Sequence, residues 1–95
     1  MINGKQRAML RKMGNRLDPT IQIGKGGINE NVINEARREL FDKELVKISV
    51  LRNVPESTKQ ISDEIARQTG AEVVQVIGRK FVLYKRNEEE PIIML

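Results

Sequence analysis

The 95-residue chain has no cysteine and no histidine, and its only aromatic residues are two Phe and one Tyr. Disulfides, thiolate nucleophiles, Cys/His metal sites and imidazole general bases are therefore excluded. An enzyme built on this chain would have to work with carboxylates, lysines or a bound metal. Phe41 and Phe81 fall at expected core positions and Tyr84 alone is expected at the surface, which disfavours a sheet that stacks nucleobases on aromatic rings. No apolar run approaches the ~18 residues of a membrane span, and charges stand where a signal peptide needs an apolar stretch. The expected setting is the reducing cytoplasm, away from membranes.

What is present is positive charge in one place. Seventeen Lys and Arg against thirteen Asp and Glu give a net +4 and a pI near 9.7, a balance that favours a polyanionic partner. Up to residue 25 the cations are Lys5, Arg7, Arg11, Lys12, Arg16 and Lys25, opposed by Asp18 alone; the rest of the chain is close to neutral. At the other end Glu88, Glu89 and Glu90 precede Pro91 and the apolar Ile92, Ile93, Met94 and Leu95. The length fits one modest domain, expected over residues 1–87, with 88–95 as an acidic and apolar tail.

From Gly4 to Leu17 the apolar Met9, Leu10, Met13 and Leu17 recur at helical spacing, with the five cations on the flanks and far side and Asn3 as N-cap. Asp18-Pro19 ends that helix, and Thr20 to Ile23 reads as a short strand. A second helix spans about Asn29 to Asp42, with Asn29 as N-cap and Val32, Ala36, Leu40, Ile33 and Phe41 turned inward. Glu44 to Leu51 alternates as a half-buried strand. Ser57 and Gln60 have the spacing of a capping box, Ile61, Ile65 and Ala66 make the buried stripe of a third helix, and Gly70 suits its C-terminus. Two strands, Glu72 to Ile77 and Lys80 to Arg86, join at Gly78-Arg79, a two-residue turn with glycine first and thus of type II′. The order α-β-α-β-α-β-β predicts an α/β fold, a two-layer α+β arrangement with a mixed four-stranded sheet. Parallel pairing is expected across the helical crossovers and antiparallel pairing in the final hairpin.

Gly24-Lys25-Gly26-Gly27 joins the first strand to the second helix. Three glycines in four positions let an anion approach main-chain N–H groups, Lys25 adds a mobile cation, and a helix N-terminus follows. A tight strand-to-helix turn is the structural alternative. The spacing fits neither a Walker A loop nor a dinucleotide fingerprint. It does fit the short Gly-x-x-Gly loop with which KH-type modules hold a nucleic-acid backbone. The outward face of the first helix bears five cations and no acid, whereas an ordinary solvated face mixes signs. Arg37, Arg38, Arg79, Lys80, Lys85 and Arg86 are weaker candidates. The pairs Asp63/Glu64 and Glu35/Glu39 read as solvated helix positions rather than acid–base pairs.

Gly4-Lys5-Gln6-Arg7, Leu10-Arg11-Lys12, Ile21 to Gly27 and Gly78-Arg79-Lys80-Phe81-Val82-Leu83-Tyr84, taken together and in order, resemble the CRM domain (chloroplast RNA splicing and ribosome maturation) in its stand-alone bacterial YhbY form. The resemblance covers about residues 2 to 86. It implies a fold similar to the C-terminal domain of translation initiation factor three with a KH-like loop. It also implies RNA binding, association with precursor large ribosomal subunits, and an RNA surface of Lys5, Arg7, Arg11, Lys12, Arg16, Gly24, Lys25, Gly26 and Gly27. The resulting expectation is a non-catalytic, cytoplasmic, monomeric RNA-binding protein of ribosome biogenesis, with ribosomal RNA as partner and without cofactor, metal, membrane or small-molecule substrate. A protein-interaction adaptor using the tail or the free sheet face is the alternative, and a small enzyme on a phosphorylated substrate is the third reading.

Overall fold

A computed structural model describes residues 2–95. Helix α1 spans Gly4–Gly14, β1 Ile21–Ile23, α2 Glu30–Lys43, β2 Leu45–Val50, α3 Thr58–Thr69, β3 Glu72–Ile77 and β4 Lys80–Tyr84. The caps are set locally. Asn3 and Gln6 form a reciprocal capping box on α1, Ser57 and Gln60 form another on α3, and the Asn29 side chain accepts from the Val32 N–H at the start of α2. Gly70 closes α3 in the left-handed conformation, with φ 77°. Helix α1 ends at Gly14, before the Asp18-Pro19 break. The chain continues through single turns, with the Arg16 and Leu17 N–H groups bonded to Met13 and Gly14 carbonyls, so Leu17 lies outside the helix and exposed.

The sheet order is β1-β2-β4-β3. β1 and β2 pair in parallel, and β4 lies antiparallel between β2 and β3. β2 and β3 thus run in the same direction across α3, but β4 separates them, so the second crossover gives parallel direction without parallel pairing. The Gly78-Arg79 turn has positive φ (57°) at glycine only, as a type II′ hairpin requires.

Period-two alternation splits the sheet into two faces. Val46, Ile48 and Val50 join Ile21, Ile23, Phe81 and Leu83 beneath α2 and α3, where Ile33, Ala36, Leu40, Ile61 and Ile65 close the main core. Leu45, Val82, Tyr84 and Val74 face the other way and meet Leu10 of α1. The two-layer arrangement therefore describes the α2/α3 side, and α1 is laid on the opposite face. Its close approach depends on Gly14: a Cβ there would stand 3.0 Å from Val82 Cγ2.

Three core expectations change. Phe41 is 58% exposed, because α2 turns Ile33, Ala36 and Leu40 inward instead. Tyr84 is only 5% exposed and sits under α1, where burial, and then the nearby Glu44 charge, raise its hydroxyl pKa. Met9 is exposed on α1 beside the cations.

The segment after β4 folds back onto the domain. Glu44, the C-cap of α2, has φ 66° and a fully buried side chain. Its carboxylate accepts three main-chain N–H bonds, from Asn87 (2.7 Å), Ile92 (2.9 Å) and Ile93 (2.6 Å). Burial alone pushes this carboxyl pKa up, but the three donors and the Arg86 charge outweigh it and leave the group below the usual carboxylate value. Ile93 packs against the α1-side core. The residues read as a tail after the domain are fastened to it by one buried anion.

Candidate nucleic-acid interface

Gly24–Gly27 leaves β1 as a tight turn closed by the Gly27 N–H on the Gly24 carbonyl (2.8 Å). Only Gly27, with φ 64°, has a backbone that disfavours a side chain. A Cβ at Gly24 would meet Leu51 Cδ1 at 3.4 Å and one at Gly26 would meet Asn29 Nδ2 at 3.5 Å, both ordinary contacts. The fold therefore demands glycine at one of the three positions. At Gly26, exposed beside the exposed Lys25, the missing side chain leaves the main chain open from outside.

Two other loops share this end of the sheet. The Leu51 N–H bonds the Ile23 carbonyl, the Val50 N–H bonds the Arg79 carbonyl, and the Arg79 guanidinium donates to the Leu51 carbonyl at 3.1 Å. The glycine turn, the turn after β2 and the β3–β4 hairpin thus meet edge to edge. They present Lys25, Arg52, Arg79 and Lys80 to solvent. Arg52 was not among the sequence candidates: it follows a strand and belongs to no motif, and only strand pairing brings it to the loop.

Helix α1 runs along β3 toward the same end. The Ile2 N–H reaches the Glu72 carboxylate, Arg7 reaches Val73 and Val74, and the Gln75 side chain donates to that of Asn15. Lys5, Arg11 and Lys12 lie on the outward arc of the helix and Arg16 just beyond it, all exposed. Arg7 differs from them. It donates at 2.6 and 3.1 Å to the Val73 and Val74 carbonyls, where β3 shifts register by a bulge, and lies 3.9 Å from Glu72. Its charge is turned into the sheet edge, while the other candidates face solvent.

Three of the cations of lesser weight have partners within the protein. Arg37 donates to the Gln68 carbonyl, Lys85 to the Thr69 carbonyl at the end of α3, and Arg86 pairs with Glu88. Asp63 pairs with Lys59, Glu64 with Arg67, and Glu39 with Thr20 and Lys43, as solvated helix positions do. Among the described residues no cluster of acids could hold a metal ion, and no helix is long and apolar enough to cross a membrane.

A cleft of about 410 Å³ separates the glycine turn, with Lys25 on its rim, from a wall that carries Glu56 just before α3 and Gln60 and Glu64 on it. With Glu30 in the first turn of α2, acids outnumber the one cation, Lys25, on this side of the loop. The cationic side is the other one, toward Arg52, Arg79 and the α1 face. An anion held at the turn gains most by extending in that direction.

Residues 2–85 match the model of the CRS1/YhbY (CRM) domain. The chain belongs to this family. It is 38% identical to the probable RNA-binding protein YqeI of Bacillus subtilis, over 100% of this chain and 99% of that one. It is 34% identical to an RNA-binding protein of Haemophilus influenzae, covering 96% of this chain and 92% of the relative. The solution structure of the hypothetical protein SAV1595 from Staphylococcus aureus superposes with a TM-score of 0.77 at 42% identity, covering 97% of this chain and 100% of that one. The CRM fold is thus that of this chain.

Proposed function

We propose that this CRM protein is a non-catalytic RNA-binding module that acts as a monomer in the cytoplasm on ribosomal RNA of precursor large subunits. The observation that carries the reading is the Gly24–Gly27 turn, which keeps glycine at Gly26 without a backbone need for it and stands where three loops gather cations. The phosphate backbone approaches the Lys25 and Gly26 main chain. Lys25 supplies charge there, and Lys5, Arg11, Lys12 and Arg16 extend the positive surface along α1. Arg7 belongs to this surface by sequence, and its bonds to β3 give it a supporting place in it. Contacts of this kind fix position on RNA with little base discrimination. The RNA-binding relatives named above support the same partner.

The test is a filter-binding titration of structured ribosomal RNA with the Lys25→Asp/Gly26→Asp variant. The expected result is an affinity loss of about a hundredfold with an unchanged circular dichroism spectrum. Undiminished affinity in the folded variant removes the turn from the mechanism.

A further inference from the structure

Helix α1 does not cover the whole of its sheet face. Its last turn ends over Lys47 and Val82, where the Lys47 ammonium donates to the Gly14 carbonyl at 3.3 Å and Gly14 packs on the Val82 methyls. Beyond that point one more cross-strand row lies before the loops. Gln22 pairs with Ser49, Ser49 with Lys80, and Lys80 with Ile77, in register across all four strands. Their neighbours Ile21, Ile23, Ile48, Val50 and Phe81 point into the α2/α3 core, so these four side chains stand on the α1 face. Four strands at about 4.8 Å spacing make the row some 14 Å wide.

We propose that this strip is the track of a single-stranded RNA segment passing between the α1 cations and the glycine turn. The proposal rests on the RNA-binding reading given above. Three observations point to it. The strip lies between the end of α1 and the loops, so a strand touching both surfaces crosses it. Its charge is of one sign: Lys47 and Lys80 line a recess of about 230 Å³ together with Asn15, Gln75 and Ile77, and no carboxylate lines it. The cleft on the opposite side of the turn carries Glu56 and Glu64 against the single cation Lys25 and favours a phosphate backbone less. The residue types also suit unpaired bases. Gln22, Ser49 and Gln75 offer donors and acceptors to base edges, Ile77 is 60% exposed and gives an apolar platform, and the lysines meet the phosphates. A duplex, whose Watson–Crick edges are already paired, gains less from the amides and the hydroxyl.

The experiment measures fluorescence anisotropy of the full chain with an oligouridylate of about ten nucleotides and with an RNA duplex of about sixteen base pairs. The wild type is compared with Lys80→Glu/Ser49→Glu and with Lys25→Asp/Gly26→Asp. The strip variant should lose about tenfold in affinity for the single strand, and its slope of log affinity against log salt should fall by about one. Its duplex affinity should change much less. Equal loss on both RNAs makes the strip a general cationic surface and overturns the proposal. Unchanged single-strand binding in the strip variant, with binding lost in the loop variant, also overturns it while leaving RNA binding intact. Failure of the wild type to bind either RNA removes the underlying reading instead. Lys80→Ala, a milder change at an exposed side chain, gives the same comparison should the double variant fail to fold.

Discussion

The two ends of the sheet handle negative charge in opposite ways. At the end where α2 runs into β2, the anion belongs to the protein: the buried Glu44 carboxylate gathers main-chain N–H groups of Asn87, Ile92 and Ile93. At the other end the glycine turn, the turn after β2 and the hairpin offer exposed main chain and cations, and the proposed anion is RNA. The same chemistry, an anion held by backbone donors, serves folding in one place and is proposed to serve recognition in the other. Burial separates them, for Glu44 is 0% exposed whereas Lys25 and Gly26 are open to solvent. A buried carboxylate with three donors is a fixed part of the structure. An exposed turn leaves its donors available to a partner.

This contrast can be broken most forcefully at Glu44. Glu44→Ala removes the acceptor of three buried or partly buried N–H groups and should cost roughly 3 kcal/mol in a denaturant titration, with RNA affinity of the folded protein nearly unchanged. The loop variant Lys25→Asp/Gly26→Asp should do the reverse, losing about a hundredfold in affinity with its unfolding midpoint preserved. Acid sharpens the comparison further. Because the folded-state pKa of Glu44 is lowered, its stabilisation is present above the ordinary carboxylate value and is lost as pH falls through the lower folded value. Unfolding followed by circular dichroism should therefore show the wild type losing more stability than Glu44→Gln as the pH is taken from neutral to below the ordinary carboxylate range. Arg7→Met tests the division within α1. It should cost about 1–2 kcal/mol of stability by stranding the Val73 and Val74 carbonyls, and lower RNA affinity less than Lys12→Met does. The smallest contrast lies in the turn itself. Gly27→Ala should cost about 1 kcal/mol because of its positive φ, while Gly26→Ala should leave stability within about 0.5 kcal/mol and weaken RNA binding.

The features legible in the sequence were those decided within a few residues. Asn3 with Gln6, Ser57 with Gln60, Asn29, Gly70 and the Gly78-Arg79 turn each act through neighbours three or four positions away, and each appears as its local pattern predicts. The alternation in β2 sorted its two faces for the same reason. What stayed hidden depends on distant partners. Glu44 meets its donors 43 to 49 residues further on, and Arg7 meets its carbonyls 66 and 67 residues away. Neither leaves a local signature. Phe41 and Tyr84 exchange their expected places because hydrophobicity alone does not say which side of α2 faces the sheet, or that α1 covers the face where Tyr84 stands. The candidate interface was legible as a motif and a charge run. Its assembly from three loops, including Arg52 and Arg79, came only with the strand order.

The salt dependence of RNA affinity, measured side by side for the wild type and Lys25→Asp/Gly26→Asp, tests the central claim most directly. With Lys5, Arg11, Lys12, Arg16 and Lys25 on phosphates, the wild type should give a slope of roughly −4 in log affinity against log salt, and the loop variant a slope shallower by at least about one. Parallel lines of equal affinity for the two proteins, or a wild-type line that does not respond to salt, would contradict the assignment of the glycine turn as the point where this CRM domain holds RNA.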